Sequence, residues 1–173
     1  MLVKNVIDED FVNYKYPAMF IGCHSCTFKC DQLASQPVCQ NGALAAAADI
    51  EVNPFALAKR FCANPLTCAV VFGGLEPLDD ADTVEIFMIY LRTLEQLRHL
   101  PTADVVIYTG YTEEEAWEQN PDFMNYLCRD PASIVKFGRY IPGQQPHFDE
   151  VLGINLSSDN QYAKRMSNEQ ERI

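Results

Sequence analysis

An α/β fold with a mainly parallel sheet is the expectation, and three observations lead to it. Short apolar runs rich in Val, Ile and Phe alternate with longer segments of helical periodicity. Several of those runs stop at a glycine or at a residue suited to turns. The intervening segments are long enough for the right-handed crossovers that join parallel strands.

Taken in order, residues 17–22 (PAMFIG) read as a buried strand running into Cys23, and residues 31–40 as a polar loop containing Pro37. Residues 48–52 (ADIEV) suggest a second strand. Asn53-Pro54 opens a helix, because Asn accepts from free backbone amides and Pro suits the first helical position. That helix continues through FALAKRFC and ends at Asn64-Pro65. Residues 68–72 (CAVVF) form an apolar run that stops at Gly73-Gly74. In residues 81–98, Val84, Phe87, Met88, Leu91, Leu94 and Leu97 recur at three- and four-residue intervals, which predicts a helix. Residues 104–108 (DVVIY) are a strand ended by Thr109-Gly110. Thr112 and Glu115 form a capping box that opens a helix to about residue 128. Residues 133–137 (SIVKF) and 151–156 (VLGINL) are the last strand candidates. Ligands of open parallel sheets bind beyond the carboxyl ends of the strands. The cysteine-rich loop, the Gly-Gly turn and the Thr-Gly turn should therefore gather on one rim.

The chain has 173 residues, which suits a single domain over 1–173. Its 24 acidic and 13 basic residues give a net charge of −11, which argues against nucleic acid as a partner. Lys136, Arg139, Lys164 and Arg165 are the candidates for a local basic patch, and they read as a solvated face. No apolar run approaches the roughly 20 residues of a membrane span. The N-terminus MLVKNVIDEDFV is acidic where a secretion signal would be basic, so the cytoplasm is the expected compartment.

Seven cysteines and no secretion signal make a disulfide framework a poor explanation. Cys23, Cys26, Cys30 and Cys39 crowd into 17 positions, so metal or redox chemistry is expected there. Spacing alone leaves an iron–sulfur cluster, a zinc site using the Cys23-x-x-Cys26 pair, and uncoordinated thiols all open. Cys62, Cys68 and Cys128 fall on helix or strand positions and read as packing residues. Trp117 reads as the apolar anchor of an acidic helix. His147 reads as a solvated loop residue, and His24 stands beside the cysteine loop.

The run Cys26-Thr27-Phe28-Lys29-Cys30 resembles the cluster loop of the radical S-adenosylmethionine superfamily, in which three cysteines hold a 4Fe–4S cluster and leave one iron open. The usual third position is here Leu33. The longer string ending in Cys39-Gln40-Asn41 resembles a variant loop of a small-enzyme branch, which makes Cys39 the third ligand in preference to Cys23. Gly73-Gly74-Leu75-Glu76-Pro77 resembles the Gly-Gly-Glu-Pro motif that meets the methionine amino group of S-adenosylmethionine. Ile107-Tyr108-Thr109-Gly110-Tyr111 and Gly153 to Gln161 resemble later strand ends of the same branch.

The resemblance covers about residues 17–161. It is closest to activating proteins of anaerobic ribonucleotide reductases. It implies a partial (β/α)6 barrel, with a 4Fe–4S cluster on Cys26, Cys30 and Cys39. S-adenosylmethionine is expected against Gly73, Gly74, Glu76, Tyr108, Thr109, Ser157 and Asn160. It also implies reductive cleavage of that cofactor, an electron donor such as flavodoxin or ferredoxin, and a glycyl radical formed on the reductase. The competing expectations are a radical enzyme acting on a peptide or small molecule, and a non-catalytic iron–sulfur or zinc module.

Overall fold

A computed structural model describes residues 1–168. The strands are β1 (Leu2–Asp10), β2 (Ala18–Cys23), β3 (Ile50–Glu51), β4 (Ala69–Gly73), β5 (Asp104–Tyr108), β6 (Ser133–Phe137), β7 (His147–Asp149), β8 (Ile154–Leu156) and β9 (Tyr162–Arg165). The helices are α1 (Lys29–Ala34), α2 (Gly42–Ala46), α3 (Pro54–Phe61), α4 (Ala81–Arg98), α5 (Glu113–Gln119) and α6 (Pro121–Arg129). Short 3-10 turns cover Pro77–Asp80 and Met166–Asn168.

Seven strands form one mixed sheet in the order β3-β1-β2-β4-β5-β6-β9. Its centre, β2-β4-β5-β6, is parallel, and β1, β3 and β9 extend it antiparallel at the edges. A separate hairpin pairs β7 with β8. The sheet stays open and no barrel closes among the described residues.

Local chemistry accounts for most elements. Asn53 caps α3 by accepting from the Ala56 amide at 3.0 Å. The capping box at α5 is present in both directions. Helix α4 has the predicted bounds and buries Val84, Phe87, Met88, Leu91 and Leu94, while Leu97 is exposed. β4 and β6 are buried along their whole length, as central parallel strands are when both faces are covered.

Four expectations change. The helix expected to run to residue 128 is two helices, because Pro121 lacks the amide that would continue α5 and instead starts α6. The expected polar loop at 31–40 contains most of α1. The strand expected at 151–156 shortens to Ile154–Leu156, after a turn in which the Gly153 amide donates to the Asp149 carbonyl at 2.7 Å. Strands β1, β7 and β9 had no counterpart in the sequence reading.

All core residues of α3 to α6 pack on one face of the sheet, against Met19, Ile21, Val70, Phe72, Val105, Ile107, Val135 and Phe137. The opposite face holds Ala18, Val71, Val106 and Ile134, covered by the segment 11–17 and by the β7–β8 region through Tyr14, Leu152 and Leu156. These two covers are stitched together by the Lys15 amide, which donates to the Leu152 carbonyl at 2.8 Å, while Tyr14 Oη ties the first of them to the sheet by donating to Asp104 at 2.7 Å. Among the described residues no helix is long and apolar enough to cross a membrane.

Candidate functional site

The carboxyl ends of β2, β4, β5 and β6 open into a cavity of about 690 Å³. The three turns expected on one rim all line it. Val12 and Asn13 close one side, and β8 with Ser157 and Gln161 closes another.

Cys26, Cys30 and Cys39 line this cavity, all as free thiols. Burial pushes the Cys26 thiol up to about 11, against the opposing Phe28 amide, which donates to Sγ at 3.3 Å. Burial also raises Cys30, followed by the neighbouring Cys39 and Asp31. Ligation of a metal by Cys26 therefore releases a proton. Cys23 belongs instead to the core on the helix side, where burial pushes its thiol far up. The Cys23–Cys26 pair thus does not point into one site. Of the other cysteines, Cys128 is buried, Cys62 half-buried and Cys68 exposed, so the packing role expected for Cys68 is not found.

The loop has a specific closure. Helix α1 starts after Phe28 and ends at Ser35, both with φ 53. The chain then doubles back, and one oxygen of Asp31 accepts from the amides of Val38 at 2.7 Å and Cys39 at 2.8 Å. Sequence reading missed Asp31, because its role exists only once the chain has turned at Ser35–Pro37.

Gly73 is buried and does not line the cavity, whereas Gly74, Leu75 and Glu76 do. Gly74 has φ +77, and a Cβ there would fall 2.5 Å from Leu44 Cδ2. Glu76 is 6% exposed and ties three turns together. Its amide donates to the Ser25 carbonyl at 2.9 Å, in the cysteine loop. Its carboxylate accepts from the Leu78 amide at 3.1 Å and the Gly110 amide at 2.8 Å. Burial nevertheless pushes the carboxyl up to about 7. Asp79, also missed, accepts from the Thr27 amide at 3.1 Å and from Tyr111 Oη at 2.6 Å, a second tie between the cysteine loop and the β5 turn.

Tyr108 and Thr109 line the cavity. Tyr108 Oη donates to the Asn13 carbonyl at 2.6 Å, which fixes the segment 11–17 as a wall. Ser157 is in the lining, while Asn160 is not. Asn160 instead donates from Nδ2 to the Arg139 carbonyl at 3.0 Å, and its neighbour Gln161 takes the lining position. Gln161 accepts from the Ser157 and Ser158 amides and donates to Gly138.

The basic residues do not form a surface patch. Lys136 is 6% exposed and lines the cavity, with Nζ donating to the Gly138 carbonyl at 2.6 Å. Burial lowers its ammonium to about 8, with Glu76 opposing. Arg139 pairs with Glu115, Lys164 with Glu113 and Arg165 with Asp104. Lys29, Lys136 and Arg139 line the cavity beside Glu76, with Lys29 and Arg139 both paired to Glu115. A buried lysine at the end of a strand reads in sequence as an ordinary surface charge, so no signal marked it. His24 lies 3.5 Å from Asp80, Trp117 is buried on α5, and His147 belongs to β7.

Among the described residues no three His, Cys, Asp or Glu side chains converge tightly enough to hold a single ion. A cluster spaces its thiolates around a cube, farther apart than the ligands of one ion. Three free thiols on one cavity wall suit it by donor type, with the Gly74 turn adjoining. Comparison with protein families, curated proteins and solved structures yields no match.

Proposed function

We propose that the chain is a radical S-adenosylmethionine enzyme with a partial (β/α)6 barrel. Cys26, Cys30 and Cys39 hold a 4Fe–4S cluster, and the cavity beside it takes S-adenosylmethionine. The observation that carries this reading is the meeting of those thiols and the Gly74–Glu76 turn on one cavity, joined by the bond from the Glu76 amide to the Ser25 carbonyl. The barrel reading draws support from the strand order β2-β4-β5-β6 with α3 to α6 on one face. The volume suits one cofactor-sized ligand.

Cys26, Cys30 and Cys39 would hold the cluster, which would supply one-electron reductive cleavage of S-adenosylmethionine and hydrogen-atom abstraction, the electron coming from a flavodoxin- or ferredoxin-type donor. The chain's own residues bind and orient. The Gly74 backbone gives a close approach for the methionine end, and Glu76 fixes the turn against both neighbouring loops. Lys136 and Arg139 offer positive charge to an anionic group. Tyr108 holds the wall opposite the cysteines.

The proposed hydrogen donor is the glycine loop of an anaerobic ribonucleotide reductase. The test is anaerobic reconstitution with iron and sulfide, followed by product analysis. About four irons per chain and 5′-deoxyadenosine formation are expected, both lost in Cys26→Ala, Cys30→Ala and Cys39→Ala and largely kept in Cys23→Ala. A glycyl signal in electron paramagnetic resonance on adding the reductase supports the activating role. Cofactor cleavage without that signal leaves a radical enzyme acting on a peptide or small molecule. Iron binding without cleavage refutes the enzyme reading.

A further inference from the structure

Eight residues separate Cys30 from Cys39, and both nonetheless line one cavity beside Asp31. An open chain of that length samples many arrangements, and fixing one costs conformational entropy. Something in the loop must offset this. Helix α1 buries no residue, so packing does not. The polar contacts converge on Asp31. Its Oδ1 accepts from the Val38 and Cys39 amides at 2.7 and 2.8 Å, its carbonyl accepts from the Gln36 amide at 3.3 Å, and its Oδ1 lies 4.0 Å from Cys30 Sγ.

We propose that Asp31 is a positioning residue for the metal centre, closing the long step so that Cys39 reaches the site already held by Cys26 and Cys30. The inference rests on the reading that these three cysteines share a cluster. It has two separable parts. Closure needs an acceptor oxygen, which Asn also supplies. The second part is electrostatic. A carboxylate this close to a ligand sulfur disfavours the added electron, so it holds the reduction potential down.

The experiment uses the full chain with Asp31→Ala and Asp31→Asn. Because α1 is unburied, neither substitution disturbs the core. In the iron-free protein, hydrogen exchange at the Val38 and Cys39 amides should lose protection in Asp31→Ala and keep most of it in Asp31→Asn. After reconstitution, iron retention against a chelator should fall about 10- to 100-fold in Asp31→Ala, the usual effect of losing an outer-sphere partner. Asp31→Asn should retain iron, with a midpoint potential above that of the wild type. Wild-type retention in Asp31→Ala, or equal loss in both variants, overturns the closure. An unchanged potential in Asp31→Asn overturns the electrostatic part. A wild-type chain that binds no iron overturns the underlying reading and this inference with it, whereas iron-loaded wild type with an indifferent Asp31→Ala overturns this inference alone.

Discussion

Glu76 is the residue whose replacement discriminates most sharply between the forces in this site. In the iron-free protein its carboxyl titrates near 7 rather than its ordinary 4.5. At about 1.4 kcal/mol per pH unit, ionising it in the folded state costs about 3 kcal/mol. The sign follows from the raised value. Its contribution to stability is fully present below about pH 4.5 and is lost as pH rises through about 7. Glu76→Gln removes the charge and this pH dependence. Like the protonated carboxyl it replaces, the amide presents one acceptor oxygen and one donor towards the Leu78 and Gly110 amides. At pH 5, where the wild-type carboxyl is protonated, the two proteins should therefore be of similar stability. By pH 8 the variant should be the more stable, by about 2–3 kcal/mol. Denaturant unfolding of both iron-free proteins across this range measures the difference, and titrations common to both cancel. Parallel stability profiles would refute the reasoning.

Gly74→Ala should destabilise the chain by about 1–2 kcal/mol, since an L side chain is strained at φ +77 and meets Leu44, a flexible neighbour able to give way. Thermal unfolding checks this, and an unchanged midpoint would show that the turn relaxes freely. Lys136→Met should weaken S-adenosylmethionine binding about tenfold, the loss expected for one charge-assisted hydrogen bond. Wild-type affinity should fall as pH rises through about 8, where the ammonium loses its proton, and the variant should stay flat. Equilibrium binding measures both, and matching pH profiles would place the lysine outside recognition.

Much of the fold was legible because its signals are local. The Asn53-Pro54 cap, the Thr112/Glu115 capping box and the three- and four-residue apolar spacing of α4 each act within a few residues. β4, β5 and β6 announce themselves as apolar runs because both of their faces are buried. β1 stayed hidden for the opposite reason. Its sequence, LVKNVIDED, carries charge and is mostly exposed or half-exposed, and only pairing with β2 and β3 makes it a strand. β9, with the sequence YAKR, is similar, its cations being paired with Glu113 and Asp104. The break at Asn120-Pro121 was written in the sequence but masked by apolar spacing that continues through Phe123 and Leu127.

The site divides in the same way. Cysteine spacing and the glycine turn can be read directly, whereas Asp31, Asp79 and Lys136 acquire their roles from chain reversals and from neighbours far away in sequence. Asn160 and Gln161 show the limit: adjacent polar residues in a turn differ in role by which way each side chain faces.

The stitched cover over the helix-free face has a consequence for biosynthesis. Positions 15 and 152 must meet before the wall carrying Val12 and Asn13 is anchored to the β7–β8 region. Tyr108 and Asp104, which grip Asn13 and Tyr14, are also some 90 positions downstream. Contacts so distant in sequence form after local ones, because closing the long loop has to precede any gain from it. On the ribosome the segment 11–17 emerges well before residue 152 and waits for it. The cysteine loop and the β4 turn can assemble on a nascent chain, but the chamber around them is finished only after β8 has emerged. A cluster of the proposed kind would therefore be best inserted while the thiols are gathered and the wall is not yet in place.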